Sequence, residues 1–219
     1  MSDVTSIRDY FTRSATTFDS LYSQRQAGSF TRCLNHRFRR DVYERFLLSI
    51  DHVRRFHADS VLDVGCGSGR YAEAFAQLET KRIVGIDLSE TMIELAKRRT
   101  DHCNNKCEFV CGDFMEFETG ETFDVSVAMG FFDYVANPLP VLIHMRSLVS
   151  HSVVGSFPSI SWYRTPIRKV RYYFKRCPVY FYRREEISLL GKAAGFARTH
   201  IQKIEGSGQD YFVTFYRTG

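Results

Sequence analysis

The chain has 219 residues, enough for one domain with its own core, and its 44% apolar and 25% charged residues exclude a disordered or fibrous protein. The longest uncharged run, residues 147–163, is broken by Ser, His, Gly and Pro, and the first residues lack an apolar signal region, so a cytoplasmic protein is expected. The formal charge of +5 is uneven: residues 164–186 hold eight Lys/Arg against two acids and residues 25–55 eight Arg against three, leaving the rest net acidic.

Two amphipathic helical segments, roughly 4–22 and 35–56, come first and are expected to cap one edge of the fold. From residue 59 onward, short apolar runs alternate with amphipathic ones. SVLDV (60–64), RIVGI (82–86), CEFVC (107–111), FDVSVAM (123–129) and SVVGSF (152–157) read as buried strands. Helical spacing marks 70–77 and 89–99, the latter with Ser89 as N-cap and Met92, Ile93, Leu95 and Ala96 as its apolar face. A helix over 137–149 opens on Pro138 and Pro140, and one over 185–194 closes on Gly195. ARTHIQKI (197–204) and YFVTFY (211–216) are final strands, joined by Gly206-Ser207-Gly208 as in a hairpin, so one of them runs antiparallel. The pattern predicts an α/β fold, Rossmann-like, with a mostly parallel sheet covered by helices on both faces. A single domain over 1–219 is expected: an N-terminal helical cap (1–58), a cofactor-binding core (59–160), an insert (161–184), and a C-terminal helix with a strand pair (185–219).

Six cysteines stand at 33, 66, 103, 107, 111 and 177. The run HCNNKCEFVC spaces three of them four apart, whereas zinc knuckles pair cysteines across two residues, so reduced structural thiols and no metal are expected.

The stretch VLDVGCGSGR follows the first strand and enters a helix, the context of a glycine-rich cofactor loop. Gly65 and Gly67 allow a tight turn and close approach of a ligand. A dinucleotide fingerprint needs glycine at 70, where this chain has Arg70; the third glycine is Gly69. Asp63 at the strand end repels a pyrophosphate but suits a cationic amino group or a sulfonium, which favours S-adenosylmethionine over NAD. Asp87 ends the second strand about twenty residues on, where a carboxylate accepts ribose hydroxyls. Asp113 and Phe114 follow the third strand, an acceptor for an exocyclic amine and a ring to cover a base.

These stretches resemble the class I S-adenosylmethionine-dependent methyltransferases: VLDVGCGSG their first motif, GIDLSETMIELAKRR the second, CGDF the third and FDVSVAMG the fourth, over about residues 60–135. The resemblance implies a seven-stranded sheet with an antiparallel last strand, S-adenosyl-L-methionine as cofactor and S-adenosyl-L-homocysteine as product. It implies that Asp63, Gly65, Cys66, Gly67 and Gly69 line the methionine end. Asp87 would take the ribose with Leu88 and Met92 flanking, Asp113 and Phe114 would hold adenine, and Met129-Gly130 would pass beneath. More loosely, YF…FDSLYS near the start and FPSISWYRTPIRKVRYYF…YFYRREEI are similar to magnesium-protoporphyrin O-methyltransferases, which implies that Tyr22 reaches the cofactor. The chain departs from many small-molecule members after the fourth strand, where they carry a histidine and it reads Phe131-Phe132-Asp133-Tyr134.

Methyl transfer from a sulfonium relies on alignment and exclusion of water, and needs a base only when the acceptor arrives protonated. Asp133 and Tyr134 are the catalytic candidates, with His144 and His151 further away. The basic aromatic segment lies between the fifth strand and the next helix, the acceptor side of such folds. There Arg164 and Arg168 are candidates to clamp an anion and Tyr163 and Tyr172 offer apolar surface, while Phe131 and Phe132 either meet an apolar or planar acceptor or pack as core under the sheet edge. Equally, residues 167–174 form a lid helix whose rings pack and whose charges are solvated. Neither the D/N-P-P-Y/F turn of amino-directed nucleic-acid methyltransferases nor a Pro-Cys stands after the fourth strand. The expectation is a methyltransferase acting on oxygen of a small-molecule acceptor with apolar and anionic parts. An RNA-directed enzyme using the basic segments, a non-catalytic cofactor-binding module, and peripheral contact with anionic lipid remain alternatives, and the oligomeric state is open.

Overall fold

Alternation of apolar residues between two faces decides the layers of this molecule. A computed structural model describes residues 5, 7, 8, 29–160, 165, 177–204 and 210–218, with backbone only at 29–40. Strands β1 (Ser60–Val64), β2 (Arg82–Asp87), β3 (Cys107–Cys111), β4 (Phe123–Ala128), β5 (Val149–Phe157), β6 (Arg198–Lys203) and β7 (Tyr211–Tyr216) form one sheet, in the order β3-β2-β1-β4-β5-β7-β6. Strands β1 to β5 pair in parallel, and β7 runs antiparallel to both β5 and β6. The expected seven-stranded, Rossmann-like sheet is what forms.

Successive residues of β1 show the two-sided burial: Val61 joins one apolar cluster, Leu62 and Val64 the other. Helices α1 (Ser29–Arg55), α2 (Arg70–Ala76) and α3 (Glu90–Thr100) supply Val53, Phe75 and Ile93 to the first, against Val61, Val125 and Val154. Helices α4 (Pro138–Ser147) and α5 (Arg184–Ala193) supply Leu142, Met145 and Ile187 to the second, against Leu62, Val153 and Phe215. Each such fully buried side chain contributes roughly 1.5–3 kcal/mol relative to exposure. Helix α1 lies in the second of the segments expected to form the cap; it adds Val53 to the first cluster, with Phe46 and Ile50 packed against it, and Phe46 meets Tyr71 of α2 edge-on at 5.2 Å.

Local chemistry sets the helix ends. Ser89 does cap α3, its hydroxyl accepting the Met92 N–H at 3.4 Å. At the start of α5, the Arg183 N–H donates to Glu186 Oε2 at 2.8 Å, and Gly195, with φ +82°, ends the helical run. Between β3 and β4 only one short turn forms, Phe114–Glu116, with Asp113 accepting the Met115 N–H. No helix among the described residues is long and apolar enough to cross a membrane. The hairpin at 206–208, the lid helix at 167–174 and most of the first helical segment lie outside the described residues.

Candidate active site

In an open parallel sheet the strands end together, and the crevice outside their carboxyl ends is where ligands bind. Three carboxylates gather there on adjacent strands. Asp63 is the next-to-last residue of β1, Asp87 the last of β2, and Asp113 follows β3 by two residues. The glycine loop runs from β1 to α2 with Gly65, Gly67 and Gly69 at φ +70°, +53° and +73°. That conformation is strained for any residue with a Cβ. The loop is tied to β2 through Gly65 and Cys66, whose N–H groups donate to the Ile86 carbonyl at 2.8 and 3.1 Å. A Cβ on Gly69 would sit 2.9 Å from Ala96, so this glycine lets the loop lie against α3. A Cβ on Gly67 would meet nothing within 4 Å, which leaves open space above the loop.

The carboxylates are not equivalent. Asp87 binds the loop and the next helix at once: Oδ2 accepts the Gly67 N–H at 2.9 Å and Oδ1 the Ser89 N–H at 2.9 Å. Burial raises its pKa, and these two bonds pull it back. Asp63 is 1% exposed, and its Oδ2 makes no hydrogen bond. Burial, with the nearby Asp87 charge adding to it, pushes Asp63 up to about 8. A buried carboxylate without its bonds is costly unless something cationic meets it. An ammonium beside an open glycine loop is what the donor set fits, and S-adenosylmethionine carries one.

The other sequence candidates on this side fall around the same crevice. Cys66 is buried, its thiol pushed up by burial and then by Asp63 and Asp87. Leu88 is half-buried and Met92 buried. Phe114 is 4% exposed and meets Phe131 edge-on, with centroids 6.4 Å apart. The His144 ring lies 4.8 Å from that of Phe114, and its Nε2 is 3.0 Å from the Phe117 carbonyl oxygen, so it serves packing there. A cleft of about 510 Å³ borders Asp113 but runs back along β2 and β3 past Glu108 and Glu121, away from the glycine loop.

The ends of β4 and β5 are built differently. Met129 is buried, and Gly130 turns the chain with φ +74° while its N–H donates to Ser156 Oγ at 2.7 Å. Phe131 leans over the glycine loop: its ring carbon would be 2.8 Å from a Cβ on Gly65. It thus stands between the two sides. Phe132 corrects the sequence reading: fully buried and stacked on Phe157 at 4.2 Å, it is core and has no surface to offer a substrate. Asp133 and Tyr134 are 7% and 9% exposed, and Tyr134 packs with Cys177, Ile7 and Val179.

Two residues of the basic aromatic segment hold this loop. The Tyr180 N–H donates to the Asp133 carbonyl at 2.8 Å. The Tyr182 hydroxyl donates toward the Phe132 and Val135 carbonyls at 3.1 and 2.8 Å, while its own N–H donates to Pro158 O at 2.8 Å. Burial, then the Asp133 charge, raises the Tyr182 hydroxyl pKa, so it stays a donor. A third residue comes from α1: Arg45 Nη1 lies 3.5 Å from Ser156 Oγ, beside Gly130. Sequence reasoning set the segment that holds Tyr180 and Tyr182 on the acceptor side and passed over Arg45, since nothing distinguishes it from the other arginines of 25–55. Tyr22, Tyr163, Arg164, Arg168 and Tyr172 lie outside the described residues. The cysteines at 66, 103, 107, 111 and 177 are free thiols, and no group of three or more His, Cys, Asp or Glu among the described residues could hold a metal ion.

Comparison with known proteins bears on this crevice. Residues 61–151 match the family model described as a methyltransferase domain. Over 85 residues the chain is 38% identical to the dTDP-4-amino-2,3,4,6-tetradeoxy-D-glucose N,N-dimethyltransferase of Saccharopolyspora spinosa, covering 39% of this chain and 32% of that protein. Over 83 residues it is 34% identical to the ubiquinone biosynthesis O-methyltransferase of Rhodopseudomonas palustris (strain BisB5), covering 38% and 32%. The chain therefore spans about a third of the length of these curated relatives. The crystal structure of magnesium protoporphyrin IX methyltransferase from Synechocystis PCC 6803 with bound SAH superposes with a TM-score of 0.71 at 21% identity, covering 99% of this chain and 100% of that one.

Proposed function

We propose that this chain, a class I S-adenosylmethionine-dependent methyltransferase by its fold and its core domain, transfers a methyl group to oxygen of a small acceptor with apolar and anionic parts. The observation that carries the reading is the buried Asp63 carboxylate, unbonded at Oδ2, beside the open space above Gly67. Asp63 would face the ammonium of the cofactor. Asp87, already fixed by two N–H groups, keeps lone pairs for ribose hydroxyls. Asp113 and Phe114 stand where an adenine would lie, with Leu88 and Met92 flanking and the Met129-Gly130 backbone beneath. When bound, S-adenosylmethionine supplies an electrophilic methyl group on sulfur. Phe131, leaning on Gly65, and Tyr134, beneath Ile7 and Cys177, would exclude water from the place of transfer. For an acceptor that arrives protonated, Asp133 or Tyr134 would take the proton; an ionised acceptor needs neither.

Several observations support an apolar acceptor at oxygen. The loop after β4 is held by tyrosines and sets the Phe131 ring over the glycine loop. The names of relatives include an O-methyltransferase of ubiquinone biosynthesis and a magnesium protoporphyrin IX methyltransferase, beside a sugar N,N-dimethyltransferase that acts on nitrogen. Incubation with methyl-labelled cofactor and a fractionated extract tests the reading. Label in a low-molecular-weight, solvent-extractable fraction is expected. Label confined to RNA would overturn it in favour of the nucleic-acid alternative, and tight cofactor binding with no label anywhere would make the chain a binding module.

A further inference from the structure

We propose that Arg45 selects the acceptor, gripping its anionic group at the ends of β4 and β5; the inference rests on the methyl-transfer reading above. Residues 45, 49 and 52 of α1 are spaced four and three apart and so share one helix face. That face meets β5, where Ser152 and Ser156 lie four apart and so on one side of the strand. His52 Nε2 lies 2.8 Å from Ser152 Oγ, Ser49 Oγ donates to the Arg45 carbonyl at 2.7 Å, and Arg45 Nη1 reaches Ser156 Oγ at 3.5 Å. Ser49, Ser152 and Ser156 are at most 1% exposed and His52 is 8% exposed. Slippage of α1 by one turn would part His52 from Ser152 and Arg45 from Ser156, while Ser49 keeps its bond within the helix, so these two contacts fix the register of the helix on the strand.

With that register fixed, the Arg45 guanidinium comes to the rim of the crevice. Its Nη2 is 3.4 Å from where a Cβ on Gly130 would stand, and the absence of a side chain at that position admits the group. Arg45 is half-buried and charged at every working pH, so its field is less screened than that of a surface arginine. Among the described residues the ends of β3, β2 and β1 carry only acids, Asp113, Asp87 and Asp63, whereas Arg45 stands at β4 and β5 with one acid, Asp133, 7% exposed, and β1 and β4 are neighbours. A cationic methyl donor on the first half and an anionic acceptor on the second would meet at that boundary. The planar fork of Arg45 suits a carboxylate, sulfonate or phosphate in a two-pronged grip.

Pyrenebutyrate and its neutral amide, equal in rings and different in charge, provide the test. Their binding is followed by fluorescence anisotropy with S-adenosylhomocysteine present. The wild type is expected to hold the anion about tenfold more tightly than the amide, the ratio of one charge-assisted contact. Arg45→Gln should bind both alike, with its affinity for S-adenosylhomocysteine at the wild-type value. Arg45→Lys, which keeps the charge and loses the fork, should fall between, and it carries the test if the glutamine variant does not fold. An anion preference that survives intact in the variants, or is missing in the wild type, overturns the proposal. Neither measurement needs turnover, so a chain that labels no acceptor counts against methyl transfer separately.

Discussion

The two halves of the crevice achieve order by opposite means. On the side of β1, β2 and β3 the backbone does the holding: three glycines at positive φ, the Gly65 and Gly67 amides bonded to β2 and that of Gly69 to the Cys66 carbonyl, and carboxylates set at strand ends. Space is left open there, at Gly67, and a polar atom is left unbonded, at Asp63. On the side of β4 and β5, side chains from distant parts of the chain close in on one loop: Tyr180 and Tyr182 from after β5, Arg45 from before β1, Ile7 from near the start. The contrast teaches that a shared ligand is met by local backbone geometry, while an individual one is met by long-range packing. Backbone shape tolerates sequence change around it, whereas a packed wall is remade by each substitution.

Three variants put that contrast under strain, in descending order of effect. Phe132→Ala should cost about 3–5 kcal/mol of stability, since it empties a core site stacked on Phe157. Denaturant unfolding measures it; a stable variant with an altered acceptor KM would return Phe132 to the substrate wall. Asp63→Asn should weaken cofactor binding about 100-fold, as one buried charged contact is lost. The wild type should bind more tightly as pH rises and level off above about 8, because Asp63 must ionise to meet a cation. In the empty protein the sign reverses. The folded chain keeps the Asp63 proton to about 8 and the unfolded chain releases it at 3.8, so stability is lost as pH rises across that window. Asp63→Asn should then be the more stable chain at pH 8, and calorimetry of both proteins decides it. A cofactor affinity independent of pH in the wild type would remove Asp63 from the ammonium site.

Tyr182→Phe should produce the smallest change, about 1–3 kcal/mol, because two carbonyls of the β4 loop lose a buried donor. Its signature is a lower kcat on the acceptor with an unchanged KM for the cofactor, since the glycine loop does not touch it. An equal loss in both parameters would mean that the two halves are not independent.

Much of this was legible beforehand. Each strand run reappears within a few residues, since an apolar run of period two is buried wherever the sheet places it. The expected start of α1 at 35 instead falls at Ser29, and β5 begins at Val149 rather than 152, because boundaries follow packing partners that a single segment does not contain. Asp63, Gly65, Gly67, Gly69 and Asp87 could be grouped from sequence because their contacts are short-range: loop to adjacent strand, strand end to next helix. Phe131 and Phe132 could not be told apart because two adjacent phenylalanines look alike in sequence, while the turn at Gly130 sends one over the glycine loop and the other into the core.

The sequence by itself determined the alternation of strands and helices, the glycine loop and the three strand-end acids. Those are consequences of periodicity and of backbone conformations that only certain residues adopt. The tertiary structure alone decided which arginine of α1 lies beside Ser156 and Gly130, which tyrosines pin the β4 loop, and which phenylalanine is core. Those outcomes depend on contacts between residues up to 111 positions apart, as from Arg45 to Ser156, and chain proximity carries no information about them.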